Sequence, residues 1–216
     1  MNCLFILGIL TGSVYMDKGL VKNGFPAEYI TNGSVIAVKT HRFGDDEDGD
    51  KAVTMFDRAI LLVRDPFASL FSVFNFLKSG GSHTGYAPVE YYRGNKWRSY
   101  AKKHATRWRK MNLRWFEAYN DKPGGLIVIA YEDLVLDPEK QLLKVLDFLD
   151  VKVPKASMSC AMERKKGIYK RTKKQALNIS IFDQEMTRAI TVEKGIVYKK
   201  LGLSSPPAPP YLVESH

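Results

Sequence analysis

Three short apolar runs in this sequence end in residues that handle anions and protons. Residues 34–39 (Ser-Val-Ile-Ala-Val-Lys) lead into Lys39-Thr40-His41, and residues 59–63 (Ala-Ile-Leu-Leu-Val) lead into Arg64-Asp65-Pro66. Residues 126–130 (Leu-Ile-Val-Ile-Ala) lead into Tyr131-Glu132-Asp133. An imidazole such as His41 titrates near neutrality and can take a proton from a hydroxyl. Lys39, two residues earlier, lies on the same face of an extended segment and can neutralise charge that develops beside it. An arginine fork such as that of Arg64 grips anionic oxygens in pairs. Each feature alone has a plain reading. Lys39 solubilises a strand end, His41 is a surface histidine, and Arg64-Asp65-Pro66 is an ordinary turn with an internal ion pair. Tyr131 is then core, with Glu132 and Asp133 as caps. The convergence at three strand ends is what favours chemistry.

The elements that must position these groups follow from periodicity. The β-branched runs read as buried strands. Pro66 suits a first helical turn and Asp65 an N-cap, which predicts a helix over 67–78. Residues 80–92 are rich in Gly, Ser and Pro and read as loop. Trp97, Tyr100, His104, Trp108, Met111 and Trp115 recur at three- and four-residue steps, one face of a long amphipathic helix. That stripe reads as core packing, and His104 as a packed histidine rather than a ligand. Another helix is expected over 138–149, with Leu142, Leu143, Leu146 and Leu149 inward, and a last one over 182–201. Order is expected to weaken from Val151, where basic loop-like segments such as Arg164-Lys165-Lys166-Gly167 occur. Strands alternating with helices predict an α/β fold, three layers with a parallel sheet covered on both faces. In such sheets ligands bind at the carboxyl ends of the strands, where the polar triplets fall.

Composition narrows the partners without choosing one. The 216 residues are 45% hydrophobic and 26% charged, suited to about one globular domain. The net charge is +10, and it is unevenly spread. Residues 1–90 hold 8 basic and 10 acidic side chains, residues 91–216 hold 25 and 13. A basic half suits a phosphorylated nucleotide, an acidic glycan, a membrane surface or nucleic acid. The basic residues are spread along helix faces and match no nucleic-acid reading motif, so that partner is not expected. Cys3 and Cys160 form no metal or disulfide pattern, and one pair or two free thiols are equally open. The apolar run 3–10 is too short to span a bilayer and reads as part of a core helix. Asn32-Gly33-Ser34 and Asn178-Ile179-Ser180 match the N-glycosylation acceptor pattern.

Taken in order, the motifs resemble a known family. Val38-Lys39-Thr40-His41 resembles the Lys-Thr-His segment of the sulfotransferases that use 3′-phosphoadenosine 5′-phosphosulfate (PAPS). Arg64-Asp65-Pro66, with Ser72 eight positions after the arginine, resembles their 3′-phosphate motif. Tyr131-Glu132-Asp133-Leu134, followed by Asp137-Pro138, resembles their Tyr-Glu-Asp strand end. Lys165-Lys166-Gly167 resembles a degraded form of their C-terminal Arg-Lys-Gly loop. Thr11-Gly12-Ser13-Val14-Tyr15 and Gly33-Ser34-Val35-Ile36 are similar, more narrowly, to the sulfotransferase domain of WSC-domain-containing proteins.

The resemblance implies a P-loop-like sulfotransferase domain over 1–203 and a Pro-rich tail over 204–216. It implies that Arg64 and Ser72 hold the 3′-phosphate of the donor, with Lys166 and Gly167 assisting and Tyr131 packed near the nucleotide. His41 would be the general base, unless a residue upstream serves, and Lys39 would stabilise the bridging oxygen. The acceptor would be a hydroxyl, in the narrower resemblance a carbohydrate, and the location a Golgi membrane or lumen, with the cytoplasm as alternative. The family's first strand and its Gly/Ser/Thr-rich phosphosulfate loop are expected upstream of Thr11, and residues 1–10 contain neither. An alternative reading is therefore a non-catalytic module that binds nucleotide or acidic glycan.

Overall fold

A computed structural model describes residues 11–13, 30, 32, 34–40, 56–82, 84–163 and 181–204. The chain divides into two compact units, one made of residues 1–58 and 133–168, the other of residues 59–132 and 169–216. Each contains a parallel pair of strands, so the α/β class expected from the sequence holds.

In the second unit, β3 (Ala59–Val63) runs parallel to β4 (Leu126–Ala130), paired from Ala59↔Leu126 to Val63↔Ala130. Ala59, Leu61 and Val63 point to a buried face, while Leu62 between them is 49% exposed. The apolar run therefore covers one face of β3 fully and not both, a departure from the two-sided burial expected of a parallel strand. Helix α1 (Pro66–Lys78) begins at once after β3. Its start is set by Asp65, whose carboxylate accepts from the Phe67 and Ala68 N–H groups, and by Pro66, whose missing N–H costs nothing there. A 3₁₀ turn (Val89–Tyr92) leads to the long helix α2 (Asn95–Tyr119).

The buried side of α2 carries Trp97, Ala101, Ala105, Trp108, Asn112, Trp115 and Tyr119. The three tryptophans are those of the expected stripe, while Tyr100, His104 and Met111 are half-buried beside it, one helical step from Ala101, Ala105 and Asn112. The alanines admit the last helix, α6 (Gln184–Leu201), at close range, and one core joins Phe67, Leu70 and Phe74 of α1 to Trp97, Met186 and Ile190. Ion pairs from Arg98 to Asp183, Lys102 to Glu185 and Arg109 to Glu193 run along the same two helices. Buried Asn75 shapes the loop that follows α1. Its amide donates to the Gly85 carbonyl at 2.8 Å and its oxygen accepts from the Ala87 N–H and the Tyr92 hydroxyl.

The first unit pairs β1 (Thr11–Ser13) in parallel with β2 (Ala37–Lys39). Its second strand is shorter than the apolar run suggested. The Asn32 side chain accepts from both the N–H and the hydroxyl of Ser34, which takes that end of the run out of a ladder. β1 was not read as a strand. Helix α4 (Pro138–Phe148), capped by Asp137, packs Leu142 and Leu146 against Met158 of α5 (Lys155–Glu163). Helix α5 falls where order was expected to weaken. Leu143, expected inward, is 51% exposed, because it lies one helical step round from the Leu142/Leu146 stripe. A short helix, α3 (Tyr131–Leu136), follows β4 without a break.

Candidate functional site at the ends of β3 and β4

Parallel pairing in register places the carboxyl ends of β3 and β4 side by side, so Arg64 and Tyr131 emerge as neighbours. The guanidinium of Arg64 lies over the Tyr131 ring, 4.6 Å from its centroid. That distance is within cation–π range, and it fixes one face of the planar fork. The sequence named both residues, and the structure brings them together.

The backbone that carries Arg64 is held from several sides. Its carbonyl accepts from the Trp108 indole N–H at 3.2 Å and from the Ser69 hydroxyl at 3.5 Å. The next N–H, that of Asp65, donates to Glu132 at 3.0 Å. Asp65 is itself fully engaged. One carboxylate oxygen caps α1, and the other binds the Lys194 ammonium at 2.7 Å, with the two side chains 4% and 11% exposed. The ammonium also lies 5.1 Å from the Tyr198 ring centre. The turn does contain an ion pair, but Arg64 is not in it.

Arg64 itself is left with capacity. Among the described residues its buried Nε has no hydrogen-bond partner, and no ion pair joins it to a carboxylate. A buried donor without an acceptor costs roughly 1–3 kcal/mol, more for a charged group. An anion over the free edge of the fork would remove that cost. The second oxygen of Glu132 is likewise buried without a partner.

Ser72 sits half-buried in α1, two turns from its start. The first N–H groups of that helix are occupied by Asp65, so the helix N-terminus and Ser72 do not form a joint anion site of the kind the sequence suggested. Ser69, one turn before Ser72 on the same face, is the hydroxyl that touches the Arg64 residue. Lys39 ends β2 in the first unit, half-buried. His41, Lys166 and Gly167 lie outside the described residues. His104 packs as expected, stacked on Tyr100 with ring centres 4.0 Å apart. Burial holds its pKa below the ordinary histidine value, and Arg107 and Lys103 push it the same way.

Sequence reading missed Lys194 and Ser69 as parts of this frame and had Glu132 only as one of the polar residues after β4. Lys194 left a signal. Met186, Ile190, Lys194 and Val197 are the buried stripe of α6, and a lysine in such a stripe calls for a buried carboxylate.

Two cavities lie elsewhere in the second unit. One of about 390 Å³ is lined by Phe116, Lys122, Pro123 and Val128 among others, at the amino end of β4. Another of about 280 Å³ lies between Tyr92, Trp97, Arg98 and Met186. Among the described residues no group of side chains forms a metal site, and no helix is long and apolar enough to cross a membrane.

Comparison with known proteins adds a lineage to this geometry. Residues 56–155 match the model of the sulfotransferase family, a span that includes Arg64, Ser72 and Tyr131. WSCD family member CG9164 of Drosophila melanogaster is 39% identical over 202 residues, covering 92% of this chain and 60% of that protein. WSCD family member AAEL009094 of Aedes aegypti is 39% identical over 198 residues, covering 90% of this chain and 59% of that protein. The chain thus spans about three fifths of the length of these curated relatives. A crystal structure of mouse sulfotransferase SULT7A1 complexed with PAP is similar over 76% of this chain and 65% of that one, at 17% identity and a TM-score of 0.47.

Proposed function

The chain belongs to the sulfotransferase family as a relative of the WSCD proteins, and from that premise we propose that it transfers a sulfuryl group from PAPS to a hydroxyl. The observation that carries this reading is Arg64: a guanidinium at a parallel strand end, held on one face by Tyr131, with a buried Nε that no acceptor among the described residues fills. A phosphate oxygen is the acceptor such a fork suits best. Arg64 then binds the 3′-phosphate of the donor, and Tyr131 lies beside the nucleotide. Ser72, Lys166 and Gly167 belong to the same proposal as further phosphate contacts.

The reaction breaks the bond between sulfur and the 5′-phosphate oxygen and forms one between sulfur and the acceptor oxygen. The acceptor proton leaves to a base, and adenosine 3′,5′-bisphosphate is released with a sulfate ester. His41 is proposed as that base and Lys39 as the cation that meets charge on the leaving oxygen. A carbohydrate hydroxyl is the proposed acceptor and the Golgi lumen the proposed location, both from the family resemblance. Imaging of a tagged chain against a Golgi marker tests the second point.

The first experiment is thermal unfolding with and without adenosine 3′,5′-bisphosphate, for the wild type and Arg64→Ala. A ligand at about one hundred times its Kd stabilises by about 2.7 kcal/mol, a rise of several degrees for a domain of this size. The rise is expected in the wild type and absent in Arg64→Ala. No rise in well-folded wild type overturns the reading. Binding without transfer of labelled sulfate from PAPS to any glycan acceptor would make the chain a binding module.

A further inference from the structure

We infer that Lys194 is a positioning residue for the anion site, acting by holding the charge of Asp65 in balance so that Arg64 remains available to phosphate. This rests on the reading of Arg64 given above and extends it to a residue 129 positions away in the chain from the carboxylate it binds. Four ionisable residues are linked at the ends of β3 and β4: Arg64 and Asp65 are consecutive, Glu132 accepts from the Asp65 N–H, and Lys194 binds the Asp65 carboxylate. Their formal charges cancel. Asp65 and Lys194 are both buried, so neither charge is screened by water as a surface charge would be. A phosphate approaching Arg64 therefore meets a locally neutral surround, with a guanidinium Nε that no described residue fills.

Loss of the Lys194 charge changes that sum to −1 without touching Arg64. Asp65 is adjacent to Arg64 in the chain, and its carboxylate would then be offset only by the α1 N–H groups that it caps. The result is repulsion of the incoming phosphate at short range. The same frame explains why the lysine belongs in the apolar stripe of α6. A methionine there would fill the space between Ile190 and Val197 but would leave Asp65 uncompensated. A purely mechanical role, holding α6 near α1, makes a different forecast, and the two can be told apart by charge.

The test is calorimetric titration of adenosine 3′,5′-bisphosphate into wild type, Lys194→Gln, Asp65→Asn and the double variant, each checked for folding by circular dichroism. The expected order is set by local charge. Lys194→Gln binds about tenfold more weakly, and Asp65→Asn binds at least as tightly as wild type. The double variant, neutral again, returns to within about twofold of wild type. Equal affinity for Lys194→Gln and wild type overturns the inference, as does a double variant as weak as Lys194→Gln. If a single variant does not fold, the double variant against wild type decides alone, because a mechanical role predicts loss and the charge role predicts retention. Failure of the wild type to bind removes the Arg64 reading itself, an outcome distinct from all of these.

Discussion

The ends of β3 and β2 carry the same kind of sequence signal, a basic residue closing an apolar run, yet they are built differently. Arg64 closes a five-residue strand in full register, and its carbonyl, its neighbour's N–H and its neighbour's carboxylate are each held by a side chain from another element. Lys39 closes a three-residue strand whose burial is intermediate throughout. The difference teaches that residue type at a strand end says little about how firmly a group is placed. Placement comes from what lies at long range, here Trp108, Glu132 and Lys194.

Asp65→Ala is expected to be the most destabilising change at the β3 end. It removes the cap of α1 and leaves the Lys194 ammonium buried without its partner, a change of the class that costs about 3–5 kcal/mol. Lys39→Ala removes a half-exposed side chain with no ion pair among the described residues and should cost less than about 0.5 kcal/mol. Urea denaturation of both variants measures the gap, and comparable losses would show that the two strand ends are equally integrated. Next in size is the pair Val63→Ala and Val38→Ala. Val63 is 1% exposed and Val38 half-buried, so about 2 kcal/mol is expected for the first and less than half of that for the second.

Function sharpens the same contrast. Tyr131→Leu deletes the ring under Arg64 while keeping an apolar side chain of moderate size at a half-buried position. A cation–π contact of about 1 kcal/mol corresponds to roughly fivefold weaker nucleotide binding, and Tyr131→Phe should retain wild-type affinity. Lys39→Ala should leave that affinity unchanged and lower the transfer rate, because its proposed work is on the leaving oxygen. Binding lost in both variants, measured by the same titration, would put the two strand ends in one phosphate site.

Much of the second unit could be read from local sequence alone. Residues 59–63 and 126–130 are apolar runs that the structure keeps as strands with the same bounds, and Asp65-Pro66 set the start of α1 because cap and first-turn preferences act within a few residues. The helix around Trp97, Trp108 and Trp115 was legible because a helix of that length repeats its period several times, though large residues at Tyr100, His104 and Met111 drew the stripe one step away from the buried Ala101, Ala105 and Asn112. What escaped was what local preference does not determine. The Ser34 end of the β2 run was taken by the Asn32 side chain, a competition between two hydrogen-bond partners that composition does not resolve. Leu143 was assigned inward from its neighbours, though its angle round α4 places it outside. At the site, Arg64 and Tyr131 were legible as residues but not as a stacked pair, and the pairing of Asp65 with Lys194 on α6 is set at long range. His41, Lys166 and Gly167 belong to segments outside the described residues.

The smallest expected effect concerns the two histidines the sequence set apart, His104 as packing and His41 as chemistry. Burial holds the folded-state pKa of His104 below its ordinary value of 6.5, and Arg107 and Lys103 add to the effect. Between the lowered value and 6.5 the unfolded chain binds more proton than the folded one, so stability rises with pH through that window and is lost as pH falls back through it. Because the ring is only half-buried and stacked on Tyr100, the slope should amount to less than about 0.5 kcal/mol in total. His104→Gln should flatten this part of the stability curve between pH 5 and 7.5, read from denaturation midpoints. The same substitution should leave the acid limb of the transfer rate in place, since the base proposed for that limb is His41. If His104→Gln shifts the acid limb of activity while the stability curve keeps its slope, the assignment of the two histidines is reversed, and the chemistry moves from the β2 end to helix α2.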